Sequence, residues 1–191
     1  MCLFSLHLSL FNFIYDDVDG KSEFIGGTAV TIERLTIDKV DAVAPLVAEF
    51  RVTLMSYKGI RVQRDIEDGK EELLDYLNKK YPVFIALEGE RCIGYIVCRI
   101  DEPCVWAESL YVHKEYRRKH IASALFAKAE EVAGAYGQET VYNYVHPNNN
   151  GVIAFLKSRG YNVLNLIEIR KPYTDEKPIM KISVVDNEFD Y

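Results

Sequence analysis

A cluster of basic residues stands where a strand-like run gives way to a helix-like run. Residues 116–125 read Tyr-Arg-Arg-Lys-His-Ile-Ala-Ser-Ala-Leu, which places Arg117, Arg118 and Lys119 just before a helix. The first amides of a helix have no partner within it, and the aligned peptide dipoles add partial positive charge there. The segment therefore predicts an anion site of the kind that binds a pyrophosphate, the alternative being a solvated cationic turn.

Composition limits the function classes. The chain has 191 residues and a formal net charge of -6, from 23 basic and 29 acidic residues. A general binder of nucleic acid or of an anionic membrane needs an extended basic surface, so we expect neither partner. The four cysteines and four histidines lack the spacing of a metal site. No stretch is long enough to span a membrane, and the N-terminus lacks signal-peptide features, so we predict a cytoplasmic protein with reduced thiols.

The elements that would position the basic cluster follow from apolar periodicity. Residues 1–27 are predicted to be an N-terminal extension, and their alternation suits a strand that could pair within the chain or across a homodimer. Residues 28–191 are predicted to form one domain, with a loose tail over the last six residues. Predicted helices cover 38–50, 65–79, 121–135 and 148–158; predicted strands cover 28–36, 83–88, 91–100, 104–113, 140–145, 161–169 and 179–185. This order indicates a mixed α/β (α+β) fold: a largely antiparallel central sheet flanked by helices on both faces.

Three separated segments, together with this order, resemble the GNAT (Gcn5-related) N-acetyltransferases from about residue 28 to residue 185. The segment 117–122 stands in the place of that family's (Gln/Arg)-x-x-Gly-x-(Gly/Ala) loop. Residues 110–116 match the usual approach to the loop, and Asn149, Phe155 and Gly160-Tyr161 match a later segment. Three matches in the right order are specific, whereas any one alone is weak.

The resemblance implies an N-acetyltransferase that takes acetyl-coenzyme A as acetyl-donor cosubstrate. The acetyl group would pass by direct transfer to a primary amine of a small-molecule or peptide acceptor. The amides of residues 119–123, here named the phosphate cradle, would hold the pyrophosphate, and the strand edge at 110–112 would bind the pantetheine arm. The implied cofactor-binding residues are Leu110, Tyr111, Val112, Arg117, Arg118, Lys119, His120, Ile121, Ala122, Ser123, Asn149 and Phe155.

Two side chains are the candidates for proton transfer. Glu108 matches the catalytic glutamate of histone-acetylating members, and a partly buried carboxylate can take the proton of the amine directly or through water. Alternation along the strand could instead put Glu108 on the solvent face. Leu156 stands where many members carry a tyrosine that protonates the thiolate. Tyr144, with Tyr142 and Tyr161 as alternatives, is the candidate replacement, unless the thiolate leaves unassisted.

His120 is a second departure, since it replaces the first loop glycine of the family. A Cβ there would crowd the pyrophosphate if the backbone needed a positive φ, whereas a helical backbone would tolerate a side chain. We expect the tolerant case. His120 and Leu156 leave open a non-catalytic acyl-coenzyme A-binding or regulatory module. An acceptor site is expected between residues 51–72, the strand of Glu108 and the loop 171–178.

Overall fold

The computed structural model describes residues 22–25, 27–178 and 180–191. The strand predicted within the first residues, and with it the homodimer contact, lies outside the described residues. The chain divides into two compact units, residues 1–150 and residues 151–191. Among the described helices, none is both long enough and apolar enough to cross a membrane.

A six-stranded sheet forms the first unit, and its strands stand side by side in chain order. All neighbouring strands are antiparallel except β5 and β6, which run parallel. The predicted mixed, largely antiparallel sheet is therefore confirmed. The strands are β1 (Ser22–Ile25), β2 (Thr28–Arg34), β3 (Val83–Glu88), β4 (Arg91–Asp101), β5 (Cys104–Val112) and β6 (Tyr142–Asn143).

Four α-helices accompany the strands: α1 (Val40–Tyr57), α2 (Ile66–Asn78), α3 (Ile121–Ala135) and α4 (Asn150–Ser158). A short 3-10 turn, Ile37–Lys39, precedes α1, which continues beyond its predicted end. The Asp65 side chain caps α2 by accepting a hydrogen bond from the Asp68 amide. Gly137 and Gly160 both take positive φ just past a helix, as expected of glycines that end helices.

Helices cover both faces of the sheet. Tyr95 of β4 and Tyr111 of β5 belong to a core cluster with Val47 of α1 and Leu73 of α2. Gly94 faces the other way, because a Cβ there would lie 3.2 Å from the Leu125 side chain of α3. Side chains alternate along a strand, so α1 and α2 pack on one face and α3 on the other. The strand β5, which carries most of the predicted site, thus lies between two packed layers.

Three sequence-based predictions near the C-terminus are corrected. Residues 161–169 form no strand and are mostly exposed, because the described strands of the second unit pair only with each other. Those strands are β7 (Lys181–Val184) and β8 (Asn187–Asp190). The last six residues are therefore not loose, since β8 lies within them and a turn with a positive φ at Val185 joins it to β7. The strand predicted over 140–145 is reduced to the two residues of β6.

Candidate active site

The pairing between strands β5 and β6 ends at Ala107, before the end of β5 at Val112. Their parallel pairing consists of Trp106 with Tyr142 and Ala107 with Asn143, and no described strand pairs with the rest of that edge of β5. Along two neighbouring antiparallel strands, the directly opposite residues alternate between hydrogen-bonded pairs and non-hydrogen-bonded pairs. The bond from the His113 amide to the Ile93 carbonyl makes Val112 a non-hydrogen-bonded residue opposite Gly94.

It follows that Val112 and Leu110 direct their backbone groups away from β4, towards the side where β6 has ended. Tyr111 lies between them, and its backbone groups face β4 instead. Of the three residues predicted to bind an extended ligand through the backbone, Leu110 and Val112 thus present their amides to the separated edge. Tyr111 presents its side chain to the α1 face.

Glu108 stands at a β-bulge in β5. Val97 pairs with Ser109 and Cys98 pairs with Ala107, so Glu108 is the extra residue between them. Its Oε2 accepts a hydrogen bond of 2.8 Å from the Arg99 Nε, and its side chain is 30% exposed. Arg99 also pairs with Asp101. The bulge therefore places a carboxylate at the residue that follows the last β5–β6 pair, and Arg99 orients it.

Tyr144 and Glu108 both lie next to Arg99. The Tyr144 ring stacks on Trp106 with a centroid distance of 4.5 Å, and 68% of the residue is exposed. The Arg99 guanidinium lies 5.1 Å from the Trp106 ring centroid and 6.0 Å from that of Tyr144. Arg99 thus contacts both side chains predicted to transfer protons, although nothing in the sequence marked Arg99 itself.

The N-terminus of α3 lacks the usual side-chain cap. His120 is its N-cap residue, makes no capping hydrogen bond, and is followed by no acidic residue in the first turn. By contrast, α2 has the Asp65 cap with Glu67 and Asp68 in its first turn. The amides of Ile121, Ala122 and Ser123 therefore have no partner within the helix, and the local charge is positive. This arrangement suits an external anion.

His120 does not have the backbone that we expected. Its φ of 61° and ψ of 6° are left-handed, so the expectation of a helical backbone is wrong. Arg118 also has a positive φ, 65°. Such values cost a residue with a Cβ about 1–2 kcal/mol relative to the right-handed region. The loop geometry is thus that of a glycine-rich loop, retained here by two residues that bear side chains.

Arg117 and Lys119 make contacts within the chain. The Arg117 Nε donates a hydrogen bond of 3.0 Å to the Val112 carbonyl, and its guanidinium lies 5.3 Å from the Tyr111 ring centroid. The Lys119 ammonium lies 4.9 Å from the Tyr116 ring centroid. Arg117 therefore ties the phosphate cradle to the end of β5, and Arg118 is left as an exposed cation of the loop.

Comparison with known families agrees with this arrangement. The family model described as "Acetyltransferase (GNAT) family" matches residues 50–161, which include α2, β3 to β6, the cradle and α3. The chain belongs to the GNAT acetyltransferase family. The enzyme class predicted from the sequence, an N-acetyltransferase with acetyl-coenzyme A as acetyl donor, is confirmed at this level.

Solved GNAT structures share the fold of this chain at low sequence identity. AAC(6')-Iy, in complex with the bisubstrate analogue CoA-S-monomethyl-acetylneamine, is 15% identical with a TM-score of 0.60, covering 76% of this chain and 100% of its own. The PaiA N-acetyltransferase from Thermoplasma acidophilum, in complex with coenzyme A, is 23% identical with a TM-score of 0.59, covering 69% and 89%. The ribosomal-protein-alanine N-acetyltransferase from Brucella melitensis biovar Abortus 2308 is 18% identical with a TM-score of 0.59, covering 76% and 100%.

No curated protein matches the chain in sequence. The names of the structural relatives include an acetylneamine analogue in one case and a ribosomal-protein alanine in another. One GNAT scaffold therefore serves different acceptors, and the fold does not name the acceptor of this chain. The residues that line its cavities have to supply that information.

An open cavity of about 290 Å³ lies beside the end of β5, on the face covered by α1. We call it the α1–β5 cavity; it is lined by Glu49, Val52, Thr53, Arg64, Tyr111 and Lys114. The Tyr111 hydroxyl donates to the Glu49 Oε2 at 3.2 Å, and the Arg64 Nη1 donates to the Glu49 Oε1 at 2.9 Å. Burial, followed by the charge of Glu49, raises the pKa of Tyr111, so the hydroxyl keeps its proton.

The sequence alone does not identify Glu49 as a site residue. Glu49 stands as a single acid in an apolar stretch of α1, where only its helical position could have shown that it faces β5. Asn149 is a predicted cofactor-binding residue, and it contacts the C-terminal end of α1. The Tyr57 hydroxyl donates a hydrogen bond of 3.1 Å to the Asn149 Oδ1. Phe155 and Tyr161 belong to the second unit, and Leu156 is buried. Within the described residues, no three His, Cys, Asp or Glu side chains converge to hold a metal ion.

Proposed function

We propose that this GNAT protein transfers the acetyl group of acetyl-coenzyme A directly to a primary amine within a ternary complex. The observation that carries the proposal is the continuity between the separated edge of β5 and the uncapped N-terminus of α3. One offers backbone groups to an extended arm, and the other offers unpaired amides to an anion. A cytoplasmic site of action is part of the proposal, supported by the free thiols of Cys92, Cys98 and Cys104.

Donor binding would use the two halves of this surface in sequence. The pyrophosphate would accept hydrogen bonds from the phosphate cradle, with Arg118 as the exposed cation beside it. The pantetheine amides would bond to Leu110 and Val112. The Val112 carbonyl already accepts a hydrogen bond from Arg117, so the Val112 N–H is the group that remains for acetyl-coenzyme A. That N–H could also stabilise the oxygen of the thioester as it gains negative charge.

An ammonium group must lose two protons to become an amide, one before the attack and one after it, and one proton must reach the sulfur. Glu108 would accept the proton of the ammonium, directly or through water, and the free amine would attack the thioester carbon. The carbon–sulfur bond then breaks and the electron pair goes to sulfur. The Tyr144 hydroxyl would protonate that thiolate and would regain a proton from the nitrogen of the new amide, which still carries one proton more than an amide does. Glu108 would release its proton to solvent. Support for these roles is that Arg99 contacts both side chains at the point where β5 and β6 part.

The acceptor would approach from the face covered by α1 and α2. Glu108 lies on that side, because it bonds to Arg99, and Arg99 lies two residues along β4 from Val97 of the core cluster that includes α1 and α2. The α1–β5 cavity opens on the same face, with Tyr111 of β5 in its wall. Proximity of amine and thioester on one strand would supply much of the rate.

Calorimetry with acetyl-coenzyme A, followed by a thiol-release assay over a panel of amines, tests the proposal. We expect binding, and release of coenzyme A that depends on an amine. Arg118→Glu places a negative charge beside the cradle and should weaken donor binding, whereas Lys128→Gln in the middle of α3, away from the N-terminus of that helix, should not. Absence of donor binding would overturn the proposal. Binding without turnover by any amine would leave a coenzyme A-binding module and overturn the catalytic part.

A further inference from the structure

The charges that line the α1–β5 cavity do not balance. Arg64 and Glu49 neutralise each other through their hydrogen bond of 2.9 Å, and the remaining Glu49 oxygen accepts from Tyr111. Lys114 is the third charged residue of the wall. Its ammonium makes no ion pair or hydrogen bond with any residue that the structure describes. Its backbone carbonyl accepts a hydrogen bond of 3.4 Å from the Arg117 amide. The cavity therefore presents one uncompensated positive charge.

The neighbourhood adds to this charge. The Arg117 guanidinium lies 5.3 Å from the ring centroid of Tyr111, which is one of the residues that line the cavity. Its bond partner is the uncharged Val112 carbonyl, so no carboxylate cancels it there. Glu115, the acid next to Lys114 in the chain, is oriented towards Arg91 and His113 at 3.7 Å. The excess charge around the cavity is positive, although the whole chain is acidic.

We propose that the acceptor is an amine that also carries a carboxylate, as an amino acid does, and that Lys114 binds this carboxylate with Arg64 beside it. This inference rests on the function proposed above. The amine end would extend along β5 towards the thioester. An ammonium–carboxylate contact in a partly enclosed cavity is stronger than one in open solvent.

The same charges disfavour a polycationic acceptor. A second ammonium group of a polyamine or of an aminoglycoside would stand against Lys114, and like charges placed together cost affinity. The cavity of about 290 Å³ lies near the lower limit of ligand pockets, which suits a small molecule of amino-acid size. The kinship with an aminoglycoside-analogue complex therefore concerns the fold, and the wall of this cavity favours a different acceptor.

The test compares probes that differ only in the negative charge. The common L-amino acids are assayed by thiol release as free acids and as carboxamides, with spermidine as the polycation. Amidation lowers the pKa of the α-amino group, which supplies more free amine at neutral pH. A preference for the free acid therefore cannot come from amine availability. We expect the free acid to have the higher kcat/KM and spermidine to be the poorest probe.

Two variants assign the preference to Lys114. Lys114→Gln should lower kcat/KM for the free acid by about ten- to a hundredfold, mainly through KM, which is the worth of one hydrogen bond to a charged group. The same variant should lower kcat/KM for the carboxamide much less, because the carboxamide carries no charge that Lys114 could pair with. Lys114→Glu should reverse the preference, and Lys128→Gln on α3 is the matched control, expected to behave as wild type.

The outcomes separate this inference from the proposed function. Turnover of carboxamides or of spermidine in preference to free acids would overturn the inference and leave the acetyltransferase proposal standing. An equal loss with both probes in Lys114→Gln would also overturn it. So would a weaker affinity for coenzyme A in that variant, because the cavity would then belong to the donor. Absence of donor binding in the wild type would overturn both.

Discussion

The Nε of Arg99 donates a hydrogen bond of 2.8 Å to the Oε2 of Glu108. Arg99 belongs to β4 and pairs with Trp106 across the ladder, whereas Glu108 is the bulged residue of β5 with no partner on β4. Without its bulge, β5 would send successive side chains to opposite faces. The bulge and the guanidinium together hold one carboxylate at the residue that follows the last β5–β6 pair.

The Glu108→Gln variant distinguishes two roles of Glu108: accepting a hydrogen bond from Arg99 and taking a proton from the acceptor amine. The glutamine carbonyl can still accept from Arg99, so the local geometry should survive, but the amide cannot take a proton from the acceptor amine. We expect kcat to fall by about a hundredfold or more, the range of general-base catalysis, with acetyl-coenzyme A affinity unchanged by calorimetry.

The control for this variant is Asp101→Asn, which removes the other carboxylate on Arg99 and leaves Glu108 in place. It should retain most of the wild-type kcat. A wild-type rate in Glu108→Gln would remove the glutamate from the base role. Equal losses in both variants would show that the charge on Arg99, and not a proton on Glu108, limits the rate.

The left-handed backbone of His120 predicts a gain in stability from glycine. A residue with a Cβ pays about 1–2 kcal/mol to hold a φ of 61°, and His120→Gly removes this cost. Part of the gain is offset, because glycine loses more conformational entropy than histidine when the chain folds. The free energy of unfolding in urea should rise by up to about 1 kcal/mol. His120→Ala keeps the Cβ and should show no gain. If alanine and glycine stabilise equally, the gain does not come from the backbone.

Much of this fold could be predicted because the signals are local. Helix periodicity, the turn after β3 and the glycines that end α3 and α4 depend on nearby residues alone, and the basic residues before α3 marked the cradle. The segment 161–169 shows the limit: its apolar content suits a strand, but a strand also needs a partner, and local sequence does not state whether one exists.

The site was harder to predict because it depends on contacts across the chain. Glu49, Arg64 and Lys114 line one cavity although long stretches of sequence separate them. The bulge at Glu108 and the choice of Arg99 as its partner depend on the register between β4 and β5. The expected helical backbone at His120 is wrong, because the loop imposes a glycine-like φ even on a residue with a side chain.

Two helical glycines differ in the space beside them, so Gly→Ala should have opposite effects on stability at the two positions. A Cβ on Gly69 would stand 2.7 Å from the Ala44 carbonyl oxygen, which is backbone and cannot swing aside. Gly69→Ala should lower the free energy of unfolding by about 1–3 kcal/mol. Gly134 of α3 has nothing within 4 Å of such a Cβ, so Gly134→Ala should raise stability by about 0.5–1 kcal/mol. Urea unfolding measures the free energy of unfolding of both variants. A Gly69→Ala variant as stable as the wild type would contradict the tight contact between α1 and α2.

The loop that carries Asn149 should respond to acid through His146. Burial, and then the charge of Lys58, lower the pKa of His146 below its ordinary value of 6.5. Its Nδ1 accepts a hydrogen bond of 3.2 Å from the Asn148 amide, and a protonated ring could not accept there. The folded pKa is below the unfolded one, so this contribution to stability is present above pH 6.5 and is lost as the pH falls through the folded pKa.

Titration of the His146 ring by NMR, with acetyl-coenzyme A affinity measured over the same pH range, checks this expectation. Affinity should fall as the ring becomes protonated, since Asn149 is proposed to contact the donor and lies in the same loop. Lys58→Gln removes the second cause of the shift, so the pKa of His146 should rise and the loss of affinity should move to higher pH. His146→Asn cannot titrate and should flatten the profile. A loss of affinity at an unchanged pH in both variants would assign the acid response to another group.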